Sequence, residues 1–132
     1  MNIVHGIPPG SVSYTAPDGQ QFYAPQSASF CFEEAAGKIY GMNVFAMLTA
    51  IGQNGVFDYQ RANGNFYQAY ENAANFGVGV YMYGAGFSEW EMSALGGVYS
   101  FFMSSNANAS SQQIWWNNGW QAAADGSLGC GC

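Results

Sequence analysis

Two carboxylates, Asp58 and Glu71, are the residues of this chain whose types and surroundings could do chemistry. Phe57 and Tyr59 flank the first, Tyr67 and Tyr70 precede the second, and the rest of the chain avoids charge. Two carboxyls placed on either side of a glycosidic bond, one protonated and one ionised, are the machinery of glycan hydrolysis. Glu71 falls in a helical pattern with no basic neighbour on its face. Turned toward the core, it would be partly desolvated and suited to general acid–base work near neutral pH. Asp58 stands three residues before Arg61, so an ion pair that braces a turn competes with the catalytic reading. Arg61, Tyr67 and Asn75, one helical turn beyond Glu71, are the candidates for holding a substrate beside them.

Other chemistry has less to stand on. His5 is the only histidine and lies in a Pro/Gly-rich leader, so triads and histidine metal clusters would all rest on it. Gly77-Val78-Gly79 falls inside a helical pattern rather than at a strand-to-helix turn, and is no phosphate cradle. Glu33 and Glu34 follow the lead-in SFCF and read as a solvated first helical turn. Glu89 and Glu91 read as helix N-terminal charges, Asp18 as a turn residue and Asp125 as a helix end. Trp116 and Trp120 share a helix face. They either pack in the core or form a sugar-stacking platform, with Asn117, Asn118 and Gln121 supplying hydrogen bonds. Cys31, Cys130 and Cys132 allow a buried thiol with a mobile terminal pair, or a disulfide from Cys31 to Cys130 or Cys132. Cys-Gly-Cys is too few ligands for a metal, and no cofactor is expected.

Composition narrows the partners. The chain has 132 residues, 49% apolar and 17% aromatic, but only 8% charged, where about 25% is usual. Lys38 and Arg61 face eight acidic residues, for a net charge of -6. Nucleic acid and anionic membrane surfaces draw their affinity from Lys and Arg, so both are disfavoured. Neutral polar polymers such as glycans, or further protein subunits including copies of the chain, fit better. No run approaches the roughly 18 apolar residues of a membrane span, so no membrane insertion is expected. The opening MNIVHGIPPG lacks the features of a Sec signal, so export would run by a non-Sec route.

The elements that must position these residues follow from periodicity. Residues 1–10 read as a leader, and Ser11 to Ala24 as a hairpin about Pro17-Asp18-Gly19. A helical core covers 32–124, and 125–132 form a flexible or disulfide-tethered tail. Phe32 to Ile51 carries a helical signal with a break at Gly37, and from Ile39 on it is apolar nearly all round, as in a buried helix. The organising stretch is Gly55 to Gly86, where a Gly/Asn-rich turn leads into a central helix over Phe66 to Gly84. Gly77, Gly79 and Gly84 would each cost that helix about 1 kcal/mol relative to alanine. Close approach of another backbone is the compensation expected. Ser88 opens a capping box with Glu91, and its helix should run to Met103. A polar loop, Ser104 to Ala109, precedes a last helix capped by Ser110 or Ser111 and ended by Asp125-Gly126. The fold class is mainly α (α+β): a compact single-domain bundle of about four helices with an N-terminal β-hairpin.

The runs GVFDYQ, YENAANFGVG and VYMYGAG, with IWWNNGWQ near the close, resemble the bacterial polymorphic toxin type 44 domain. The resemblance spans roughly Phe45 to Ser105. Asp58 falls on the family's aspartate, Glu71 on its acidic position, Asn75-Phe76 on its Asn-Phe, and Gly79 on the following glycine. Phe57 stands where the family has Trp, Gln60 where it has Lys, and Gly77-Val78 where members carry His-Tyr. The resemblance implies a toxin-like effector with an immunity protein among its partners. It adds weight to a hydrolase acting on cell-wall glycan through Asp58 and Glu71. A non-catalytic chain that self-assembles or binds glycan stays open beside it.

Overall fold

The computed structural model describes residues 2–52, 55–95 and 109–130. About half of the described chain is helical (50%) and 15% is strand, with five helices among the described residues rather than four. Strand β1 (Asn2–Val4) is followed by the hairpin β2 (Val12–Thr15) and β3 (Gln21–Ala24). Helices α1 (Phe30–Tyr40) and α2 (Val44–Ile51) come next, then the short strands β4 (Arg61–Ala62) and β5 (Asn65–Tyr67). A 3-10 turn, Gln68–Tyr70, feeds α3 (Glu71–Gly84). Helix α4 covers 89–95 as far as described, and α5 is Ala109–Ala124.

The hairpin forms where the turn residues place it, with Val12 opposite Ala24 and Thr15 opposite Gln21. Its turn is fastened to α5 by Asp18, whose Oδ2 accepts from Asn118 Nδ2 at 2.9 Å. The first ten residues do more than lead in. β1 pairs in parallel with β5, which pairs antiparallel with β4, and His5 bonds Gln68 at 2.9 Å.

Helix α1 starts because Ser29, extended at φ -139°, accepts from the Phe32 amide with its side chain. It ends at Gly41, whose φ of 56° few other residues would adopt. The break expected at Gly37 therefore falls four residues later. Gly37 stays helical because the α3 backbone at Tyr81 fills the space where a side chain would be. Asn43 caps α2 by accepting from the Ala46 amide at 3.1 Å. The expectation of a buried helix from Ile39 on fails at named positions: Ile39 is 77% exposed, Met42 54% and Phe45 84%, while Met47 is buried. Uniform apolarity concealed which face packs.

The central helix is where it was expected, but shorter. Phe66 and Tyr67 lie in β5 and α3 begins at Glu71, because pairing with β1 and β4 claims residues 65–67. Helix α3 packs between α1 and α5, and its glycines explain how closely. A Cβ on Gly79 would collide with the Trp116 carbonyl oxygen, and one on Gly119 with that of Phe76. Two backbones touch there, so the propensity cost of glycine is offset by packing density. The core has two parts. Around Phe22, Phe30, Phe76 and Trp115 the rings meet at 4.6 to 5.9 Å, and a second cluster holds Met47, Tyr81, Met82, Met92 and Trp116.

Ser88 and Glu91 form the reciprocal capping pair at 2.9 and 3.1 Å. The expected run of α4 to Met103, and the loop from Ser104, lie outside the described residues up to Ala109, where α5 already begins. Helix α5 ends at Ala124, followed by Gly126 at φ 77°. Beyond it, Cys130 is bonded to Cys31 across a sequence separation of 99, with Cα atoms 5.3 Å apart. Cys132 lies outside the described residues.

Candidate functional site

The loop after α2 builds the site. Its backbone folds back on the helix end, where the amides of Val56 and Phe57 donate to the carbonyls of Thr49 and Ala50 at 3.0 and 2.9 Å. These bonds satisfy acceptors that a helix terminus leaves open and aim residues 57–61 at the N-terminus of α1. Asp58 is buried there, and its Oδ2 accepts from Arg61 Nη1 at 2.9 Å. The guanidinium also stands over the Phe66 ring, 5.2 Å from its centroid. The turn-bracing ion pair is thus real, and it lies on the wall of a cleft.

That cleft has a volume of about 630 Å3. Asp58, Tyr59, Arg61, Tyr67 and Tyr70 line one side, and Ser27, Ser29 and Phe32 from the approach to α1 line another, with Pro8 and Asn63. Tyr67 and Tyr70 stand 5.4 Å apart, and the Tyr70 hydroxyl is bonded to Ser11 at 2.7 Å. Asn65 donates to the Tyr67 hydroxyl at 3.3 Å.

The other candidates go elsewhere. Glu71 is exposed at the first position of α3 and is absent from the cleft lining, so the desolvated acid expected there does not form. The physical reason is the late helix start: with α3 beginning at Glu71, the buried face falls on Ala73, Ala74, Phe76 and Gly77. Asn75 is committed to packing, since its Oδ1 accepts from Trp116 Nε1 at 3.0 Å and its amide donates to the Glu71 carbonyl. Trp116 is buried, and half-buried Trp120 donates its indole N–H to the Phe87 carbonyl at 2.8 Å. The two tryptophans are core residues, and the sugar platform is overturned. Asn118 belongs to the hairpin anchor. Among the described residues no three His, Cys, Asp or Glu side chains gather to hold a metal, and no helix is long and apolar enough to cross a membrane.

Glu33 and Glu34, read as a solvated first helical turn, are both inside: Glu34 is buried and paired with Lys38, and Glu33 is 0% exposed. The side chain of Glu33 is the more enclosed. Its Oε1 accepts from the Tyr59 hydroxyl at 2.7 Å, its Oε2 is enclosed without a partner, and the carboxyl rests on Gly77 of α3. Burial pushes its ionisation well above the usual carboxylate range, against the opposing pull of the Tyr59 bond. Burial likewise raises the Tyr59 phenol, and the neighbouring Glu33 raises it further. The signal that could have placed Glu33 inside was its position three residues after Phe30 and four before Gly37, on one stripe of the helix. No family model, no curated protein and no solved structure matches the chain.

Proposed function

We propose that the chain is a toxin-like effector domain whose cleft binds a neutral, hydroxyl-rich polymer of the cell-wall glycan kind. The observation that carries this reading is a cleft walled by tyrosines and hydroxyls whose one cation is already held by a carboxylate. Arg61 is paired with Asp58, and the chain's other basic side chain, Lys38, is paired with Glu34 at 3.4 Å. The Arg61 guanidinium is thus committed within the cleft wall, and the net charge of -6 repels a phosphate backbone. Aromatic faces stack on the apolar faces of sugar rings, while amides and hydroxyls take directional bonds. The disulfide supports work in an oxidising compartment, outside the cytosol. The resemblance of GVFDYQ and YENAANFGVG to the type 44 toxin domain agrees with such a target.

Sedimentation with purified sacculi tests this. The parent chain is expected in the pellet, and Tyr67→Ala with Arg61→Gln in the supernatant. A parent chain that stays soluble with sacculi and with other neutral glycans would remove the reading.

Hydrolysis of the same glycan is the second reading, favoured by a carboxylate, Asp58, on the cleft wall. Its partner would not be Glu71, which is exposed and outside the lining. Release of soluble sugar from sacculi by the parent chain, abolished in Asp58→Asn, would establish it.

A further inference from the structure

Glu33 makes none of the contacts assigned to the ligand above, yet no other carboxyl among the described residues is as completely buried. Its seat is enclosed, with Gly77 directly opposite the carboxyl. An aliphatic side chain could fill such a seat without the cost of enclosing a carboxyl whose second oxygen has no partner. What the carboxyl supplies and an aliphatic chain cannot is an acceptor for the Tyr59 hydroxyl. Besides a backbone bond from Ser29 at its hydroxyl, Tyr59 has edge contacts with Phe30 at 5.9 Å and Phe57 at 6.5 Å. Edge contacts leave a ring free to slide and tilt, and a hydrogen bond at its hydroxyl holds that far end in place. Tyr59 also lines the cleft, next to Asp58.

We infer that Glu33 is a positioning residue of the cleft: from behind the wall, it fixes the Tyr59 ring in the place a ligand packs against. The inference rests on the cleft being the binding site. A rigid wall binds more tightly than a mobile one, because the ordering of its side chain has been completed before the ligand arrives. Glu33 touches no ligand, and its effect passes through one phenol.

Two readouts on the full chain separate this inference from the function proposed above. The first needs no ligand: ring signals of Tyr59 in protein carrying 13C-labelled tyrosine. Ring signals at the same chemical shifts, with through-space contacts to Phe30 and Phe57, are expected in the parent chain and in Glu33→Gln, which keeps the acceptor. Displaced signals with altered contacts to Phe30 are expected in Glu33→Leu. The second is calorimetric titration with a chito-oligosaccharide. Glu33→Leu and Tyr59→Phe are expected to bind roughly five- to tenfold more weakly, the scale of one hydrogen bond, and Glu33→Gln to rescue binding. Melting curves at mildly acidic pH, where all the variants should remain folded, show that any loss is not unfolding. Unchanged Tyr59 signals in Glu33→Leu would overturn the inference whatever binds, as would unchanged affinity beside a displaced ring. A displaced ring in a chain whose parent binds no glycan would keep Glu33 as the anchor of Tyr59 and discard the ligand.

Discussion

Three carboxylates of this chain have three different fates, and each sets a measurable expectation. Glu33 binds its proton far more tightly folded than unfolded, since burial raises its pKa well above the ordinary 4.5 of a glutamate. Between the unfolded and the folded ionisation, the native state holds a proton that the unfolded chain has released, so stability must fall as pH rises through that window. The slope for one proton is about 1.4 kcal/mol per pH unit. Glu33→Gln removes this term and keeps the Tyr59 bond. Its stability advantage over the parent chain should therefore be small near pH 4 and grow toward neutral pH in denaturant titrations. An advantage that does not change with pH would mean that Glu33 ionises freely. Glu71→Gln, at an exposed position off the cleft, should leave both sacculus binding and the melting temperature as they are. Asp58→Asn breaks a buried partner away from half-buried Arg61 and should lower stability by about 1–2 kcal/mol, read by the same titration. It should also loosen the cleft.

At the scale of elements, the contact between α3 and α5 depends on the absence of two side chains. Gly79→Ala and Gly119→Ala each push a methyl into a carbonyl of the facing helix. Despite better helix propensity, each should cost about 1–3 kcal/mol and several degrees of melting temperature. A rise in melting temperature would mean the helices stand further apart. The need for close approach was legible in the spacing of Gly77, Gly79 and Gly84, as were the hairpin about Asp18-Gly19 and the Ser88–Glu91 cap. All three are local signals. What was not legible depends on distant partners. Phe66 and Tyr67 carry helical periodicity, yet they pair with Ile3 and Val4, more than sixty residues away in sequence. The sequence of α5 favours core packing for its tryptophans without excluding a sugar platform, and the carbonyl of Phe87 and the side-chain amide of Asn75 are what hold the indoles inward. For the site, Asp58, Arg61 and Tyr67 could be found from the turn that holds them. For Glu33 the stripe it shares with Phe30 and Gly37 was the one local hint, and the room for its carboxyl comes from Gly77 on another helix.

At the scale of the whole molecule, the bond from Cys31 to Cys130 joins the first helix to the residues after the last one. Closing a loop of this length restricts the unfolded chain by about 4–5 kcal/mol in the chain-entropy account. Reduction, or Cys31→Ala, should lower the unfolding free energy by about 2–5 kcal/mol in denaturant titrations. A protease cut anywhere between the two cysteines should leave fragments that travel together on a gel until reductant is added. The same covalent ring has a consequence for passage across a barrier. A chain with free ends can be drawn through a narrow pore as a single strand, but once the ring is closed two strands must enter side by side. A pore that admits one strand would therefore pass this chain only before oxidation, and a disulfide closed on the far side of such a pore would bar the way back.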